Sequence, residues 1–255
     1  MNLKISLAYI FVVVLAIVVA NSDIMDIMKT STDPTTEFIT LLYVLPVLIV
    51  ISIFLTKFIE LVLKLITPLY LFISATIYYV IIFGNFDLVI NQILAWGYVL
   101  FLVVYAYTYY TGKEISNVHK LVMASVMVGF FTIDFIYIFI GLIVISIVDF
   151  ITIFLAIKRK SEHVKPRNSF AVLSFYRGIN IVSMLGLGDI FFMSVFLISI
   201  IYSFGVVAAI FAYTGLVYAL YYMRRYNGPQ PAIPPLFIFS MAGLEAWMIL
   251  NSLIG

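Results

Sequence analysis

Two aspartates stand inside otherwise apolar runs, Asp149 in ISIVDFITIF and Asp189 in MLGLGDIFFM. Taking a carboxylate into a bilayer is costly, so an acid retained there is a functional-site candidate by default. Two such acids on consecutive apolar segments point to one shared site. Two carboxyls held close together cannot both ionise easily, so one stays protonated while the other stays charged. That split supplies a general acid and a general base in one place. With a water between them, such a pair can hydrolyse a peptide bond with no metal and no cofactor. The competing reading is that each Asp makes a private hydrogen bond that holds helices together. Two acids at compatible depth, one of them beside Gly-Leu-Gly, favour the shared site.

Composition says where these acids must work. The chain has 255 residues, of which 65% are hydrophobic and only 10% charged. Soluble domains carry about 25% charged residues. Apolar stretches near or above the roughly 18 residues needed to span a bilayer recur along the whole sequence. The fold class is therefore an all-α polytopic membrane protein embedded in the lipid bilayer. A net charge of +2 is too small to imply a nucleic-acid partner. There is no cysteine, which excludes disulfides, thiol catalysis and Cys-ligated metals. His119 and His163 stand too far apart in sequence to suggest a metal site. The first apolar segment, Ile5 to Ala20, follows a single Lys4 and precedes an acidic stretch with no clear small-x-small cleavage site. It reads as a retained span and not as a removed signal peptide.

About nine spans are expected, at 5–20, 38–56, 61–83, 88–110, 119–133, 137–157, 185–204, 206–223 and 232–251. Only Asp134 interrupts the apolar run from Leu121 to Ile157. As one helix that run would be about 55 Å long at 1.5 Å per residue, too much for one crossing, so a tight turn is expected near Asp134. The chain reads as one integral membrane domain with N-terminal helices over 1–118 and site-bearing helices over 119–255. A cytoplasmic linker covers 158–181. With the N-terminus cytoplasmic and the C-terminus outside, Lys29 alone of the basic residues lies outside, while Asp23, Asp26, Asp33, Glu37, Asp87 and Asp134 fall in outer loops. This is the asymmetry of the positive-inside rule.

Within that frame Asp149 lies nine residues before Lys158, about 13 Å along the helix from the cytoplasmic boundary. Asp189 sits near the cytoplasmic start of the next span. The two spans run antiparallel, so the carboxyls can meet. Gly186 and Gly188 flank Leu187 just before Asp189. Glycine permits close backbone approach and weakens a helix, which suits a place where an extended substrate must reach a carboxyl. A third element is Gln230-Pro231-Ala232-Ile233-Pro234-Pro235. Its prolines remove backbone donors and are expected to prevent a regular helix start, leaving backbone groups for a partner strand. Irregular backbone at membrane depth is tolerated only against protein or a water-filled cavity. Glu245 lies far along the last span from Pro231 and reads as structural, near Trp247. Pro46 and Pro68 read as tolerated kinks.

Together these elements resemble the signature of the presenilin and signal peptide peptidase family of intramembrane aspartyl proteases, of the Gly-x-Gly-Asp type. That family carries Tyr-Asp, Gly-x-Gly-Asp and Pro-Ala-Leu on spans six, seven and nine. Here they read Val148-Asp149, Gly186-Leu187-Gly188-Asp189 and Pro231-Ala232-Ile233. The resemblance covers roughly residues 119–251, and the compact, cysteine-free chain is more similar to archaeal homologues than to eukaryotic ones. It implies an integral, multi-pass protein of an archaeal plasma membrane. Asp149 and Asp189 would be the catalytic dyad. Gly186, Leu187, Gly188, Pro231, Ala232 and Ile233 would support the site or bind substrate. The substrates would be single-span membrane helices, unwound locally to expose a peptide bond. The linker 158–181 would help dock them, which full cleavage after partial deletion of the linker would contradict. Val148 departs from the family by lacking a hydroxyl beside Asp149, and Ile233 replaces Leu.

Three other readings compete. A prepilin-type peptidase shares Gly-x-Gly-Asp but would need its partner Asp in a loop or near a helix end. A proton-coupled transporter would use Asp149, Asp189 and Glu245 as a relay. A membrane scaffold would use the acids only to join helices. Oligomeric state is left open by the sequence.

Overall fold

Long apolar runs with few breakers leave the backbone one way to satisfy its own polar groups in lipid, namely helices. The computed structural model follows this rule. It describes residues 2–21, 117–130, 134–158, 172–177, 180–223 and 231–254, with Trp96, Val99, Val103 and Tyr107. The spans expected at 38–56 and 61–83 lie outside the described residues, as does 88–110 apart from those four positions. The described helices are α1 (Asn2–Ala20), α2 (Asn117–Phe130), α3 (Phe135–Lys158), α4 (Leu187–Phe204), α5 (Val206–Met223) and α6 (Ile233–Ile254). Three of them, over Leu187–Phe204, Val206–Met223 and Ile233–Leu253, are long and apolar enough to cross a membrane. Their outward faces carry large apolar side chains such as Ile210, Tyr218 and Ile249, as a lipid-facing surface requires.

The chain breaks where the sequence predicts. Asp134 precedes α3, and its carbonyl accepts from Tyr137 N–H at 3.1 Å and Ile138 N–H at 3.3 Å, opening the new helix. Between α4 and α5 the single residue Gly205 has φ 90°, a left-handed conformation that glycine adopts without a Cβ penalty. Its N–H closes α4 on Ile201 O at 3.0 Å.

The stretch expected as a linker is not irregular throughout. Strand β1 (Val172–Arg177) pairs antiparallel with β2 (Asn180–Gly186), which runs directly into α4. Arg177 faces Asn180 across a two-residue connection, and Val182 is the extra residue of a bulge, since Ile181 pairs with Tyr176 and Ser183 with Phe175. The physical reason is composition: Val172, Ile181 and Val182 are β-branched and Phe175 and Tyr176 aromatic, types that favour a pleated backbone.

Two packing arrangements set the positions of the site-bearing helices. Phe135 and Phe139 of α3 meet Phe196 and Phe204 of α4 and Phe237 of α6. Ring centroids are 4.9 Å apart for Phe135–Phe204, 5.8 Å for Phe135–Phe196 and 5.5 Å for both Phe139–Phe237 and Phe196–Phe237. Edge-to-face and tilted pairs of this kind add specific attraction to shape fit. The second arrangement is the antiparallel contact of α5 and α6. A Cβ placed on Gly215 would strike the Phe239 carbonyl, and one on Gly243 would strike the Phe211 carbonyl. Both glycines therefore let backbone touch backbone, as small residues do in membrane helix pairs.

Candidate functional site

Asp149 lies in the second half of α3 and Asp189 in the first turn of α4. The two carboxyls come close enough to interact electrostatically. Each is gripped by the backbone at a helix start.

For Asp189 the grip is local. Gly186 ends β2 and serves as N-cap of α4, with φ −63° and ψ 138°. Its N–H donates to Asp189 Oδ2 at 3.1 Å. Asp189 is the third helical residue, so its carboxyl reaches back to an amide that the helix cannot satisfy. It also sits at the positive end of the helix dipole. A Cβ on Gly186 would approach that same Oδ2 at 2.8 Å, so a side chain there would push the carboxyl out of place. Gly188 differs: among the described residues a Cβ there would meet nothing within 4 Å. Leu187 between them is buried and anchors the helix start.

For Asp149 the grip crosses 84 residues of chain. Ile233 N–H donates to Asp149 Oδ2 at 3.2 Å. Here the structure corrects one expectation. The prolines do not prevent a regular helix; α6 begins at Ile233 with Pro234 and Pro235 inside its first turn. First-turn amides have no partner within the helix, so proline loses nothing there and its fixed φ suits the helix. Leu236 N–H bonds Ala232 O at 3.3 Å and closes the turn. With Pro234 and Pro235 lacking N–H groups, Ile233 is the first-turn residue left with an amide to offer, and Asp149 takes it. That amide is occupied, and so does not wait for a partner strand. The Ile233 side chain is buried, while Pro231 and Ala232 are half-buried.

This gives a test of the amide. Ile233→Pro keeps an acceptable first helical residue but removes the N–H. The bond is to a charged group and is worth about 1.5–3 kcal/mol, so cleavage of a single-span substrate should fall roughly 10- to 100-fold. Ile233→Val, which keeps the amide, should retain most activity. Equal rates for the two variants would remove the amide from the site.

Sequence reasoning named both carboxyls and the segments that hold them. It missed the particular amides, the hairpin leading into Gly186, and Tyr9. Tyr9 on α1 is fully buried in the same core and interacts electrostatically with Asp189. The β-branched and aromatic residues either side of a two-residue spacer could have signalled the hairpin. Nothing in the sequence distinguishes Tyr9 from other tyrosines in apolar segments. Glu245 is exposed in the second half of α6, about 18 Å beyond Ile233 at the helical rise. Lys120, within the span expected at 119–133, is buried in the first turn of α2. Among the described residues no group of three or more His, Cys, Asp or Glu could hold a metal.

Fold and site define a nearly all-helical polytopic membrane protein in which two aspartates converge at two helix starts. The chain shares its fold with the solved structure of a presenilin family intramembrane aspartate protease, at 18% sequence identity and a TM-score of 0.59, over 98% of this chain and 99% of that one. No protein-family profile matches the chain, and no curated protein matches it.

Proposed function

We propose that this protein is an intramembrane aspartyl endopeptidase that cuts peptide bonds within single-span membrane helices. The observation that carries this reading is the convergence of Asp149 and Asp189, each fixed through Oδ2 by a backbone amide at a helix start. The likeness of fold to a presenilin family intramembrane aspartate protease supports it.

In this mechanism one ionised carboxyl takes a proton from a water held between the pair. The protonated partner hydrogen-bonds the scissile carbonyl. The hydroxide adds to the carbonyl carbon, and the tetrahedral intermediate collapses as a proton passes to the leaving amine. The pair titrates as a unit, so acid and base are not assigned to individual residues. The backbone amides hold each carboxyl in place and spare it the cost of an unpartnered charge. Among the described residues nothing crowds Gly188, which leaves room there for an unwound substrate next to Asp189 in the chain. The transporter reading needs a chain of acids through the membrane. Among the described residues the remaining acids are Asp134, ahead of α3, and the exposed Glu245, and neither extends a relay.

The N-terminus is assigned to the cytoplasmic side, on the distribution of basic residues. A tag at residue 1 that labels from outside intact cells would overturn that assignment. The function itself is tested by incubating the purified protein in detergent with single-span substrates and mapping product ends by mass spectrometry. A cut inside the apolar span is expected. Proton flux in liposomes, with every substrate left intact, would favour the transporter.

A further inference from the structure

The first helix brings an unused polar group to the site. Tyr9 is 0% exposed, and its hydroxyl has no hydrogen-bond partner among the described residues. A buried hydroxyl without a partner is unfavourable, so its retention calls for a reason. Its neighbourhood supplies one. Helix α1 packs against α4, and the Asn21–Tyr202 contact together with the Tyr9–Asp189 interaction means that the two run in the same direction. At one end Asn21 Nδ2 reaches Tyr202 Oη at 3.5 Å, bringing the ends of α1 and α4 level. Counting back twelve residues on α1 gives Tyr9, and thirteen on α4 gives Asp189, both about 18–20 Å from that end. The two therefore lie at the same depth on adjacent helices, and they interact electrostatically.

The two groups are complementary. Asp189 Oδ2 accepts from Gly186 N–H, while Oδ1 has no partner among the described residues. Tyr9 has a donor to give, and Oδ1 is an acceptor. The α1 segment that carries Tyr9 is held independently: Tyr213 Oη on α5 donates to Ser6 O at 2.9 Å, one turn before Tyr9. An anchored helix thus presents a buried phenol at the level of an aspartate, and among the described residues neither the phenol nor Asp189 Oδ1 has a partner.

We propose that Tyr9 is a positioning residue of the aspartate site, whose hydroxyl donates a hydrogen bond to Oδ1 of ionised Asp189 during turnover. No proton leaves the phenol; the bond orients the carboxylate and stabilises its charge in the steps where Asp189 carries the charge of the pair. This role rests on the protease reading above. It adds a group from α1 to a site otherwise built from α3, α4 and α6.

The test is Tyr9→Phe in the full-length protein, which removes one oxygen and keeps the ring. A hydrogen bond to a charged group corresponds to roughly a 10- to 100-fold fall in kcat, with KM near that of the wild type. Because the hydroxyl has no partner among the described residues, thermal stability should be unchanged or higher. A merely structural tyrosine would lower stability and leave kcat per folded molecule unchanged, and that result overturns the proposal. A second readout does not depend on catalysis. The infrared carboxyl bands of Asp189, identified by their loss in Asp189→Asn, should shift in Tyr9→Phe. Shifted bands in a protein that cleaves nothing would sink the protease reading while leaving the Tyr9–Asp189 coupling in place. Unshifted bands with unchanged kcat would sink the coupling and leave the protease reading intact.

Discussion

Asp149→Asn and Asp189→Asn are each expected to abolish cleavage of a single-span substrate while leaving the protein folded. Asparagine has nearly the shape of aspartate, and its carbonyl oxygen can still accept from Ile233 N–H or Gly186 N–H. The change therefore isolates proton transfer from architecture. One carboxyl must take the proton of the attacking water while its protonated partner polarises the scissile carbonyl, so either loss should slow the reaction by roughly 10⁴-fold, the upper end for general acid–base catalysis. Residues that act as one unit are not additive, so the double variant should be no slower than the single ones. Removing a half-buried ionisable group also removes its desolvation cost, so melting temperature should hold or rise. Single-turnover assays in detergent, beside thermal unfolding of each variant, provide the check. Wild-type rates in either variant would take that Asp out of the reaction.

The second large effect concerns stability. Gly215→Ala and Gly243→Ala each place a methyl where a neighbouring carbonyl already sits, that of Phe239 for the first and Phe211 for the second. The obstacle is backbone and cannot rotate aside, so α5 and α6 must separate. Overpacking of this kind costs about 1–3 kcal/mol, and separation also forfeits dispersion contacts along the seam, including the Tyr218–Phe239 pair at 5.1 Å. The two sites lie on one antiparallel interface, with Phe211 and Gly215 of α5 opposite Gly243 and Phe239 of α6. A first methyl opens the seam for the second, so the double variant should lose less than the sum of the singles. Since α6 also carries the Ile233 amide to Asp149, cleavage should fall in step with stability. Thermal unfolding of both singles and the double, read as a double-mutant cycle, measures this. Additive losses would mean that the two glycines do not share one seam.

Several elements were legible from the chain because their causes are local. The turn at Asp134 follows from a polar residue interrupting a run too long for one crossing. The break at Gly205 and the helices over 187–204 and 206–223 fall close to the apolar segments expected at 185–204 and 206–223. The segment expected to start at 185 begins its helix at Leu187, because Leu185 and Gly186 still belong to β2. The prolines near 231 misled for an equally physical reason. They forbid the interior of a helix and suit its first turn, and position within the helix decides which applies.

What the sequence by itself determined is the class of protein and which two acids stand inside its apolar runs. Hydrophobicity sums along the chain, and a carboxylate in an apolar run stands out without any knowledge of its neighbours. What only the tertiary structure decided is which groups face those acids. The Ile233 amide is 84 residues from Asp149, and Ser6 lies 207 residues from the Tyr213 that pins it. Such pairings depend on which helix faces are brought together by packing, here by the rings of α3, α4 and α6 and the bare backbone at Gly215 and Gly243. No local propensity encodes them.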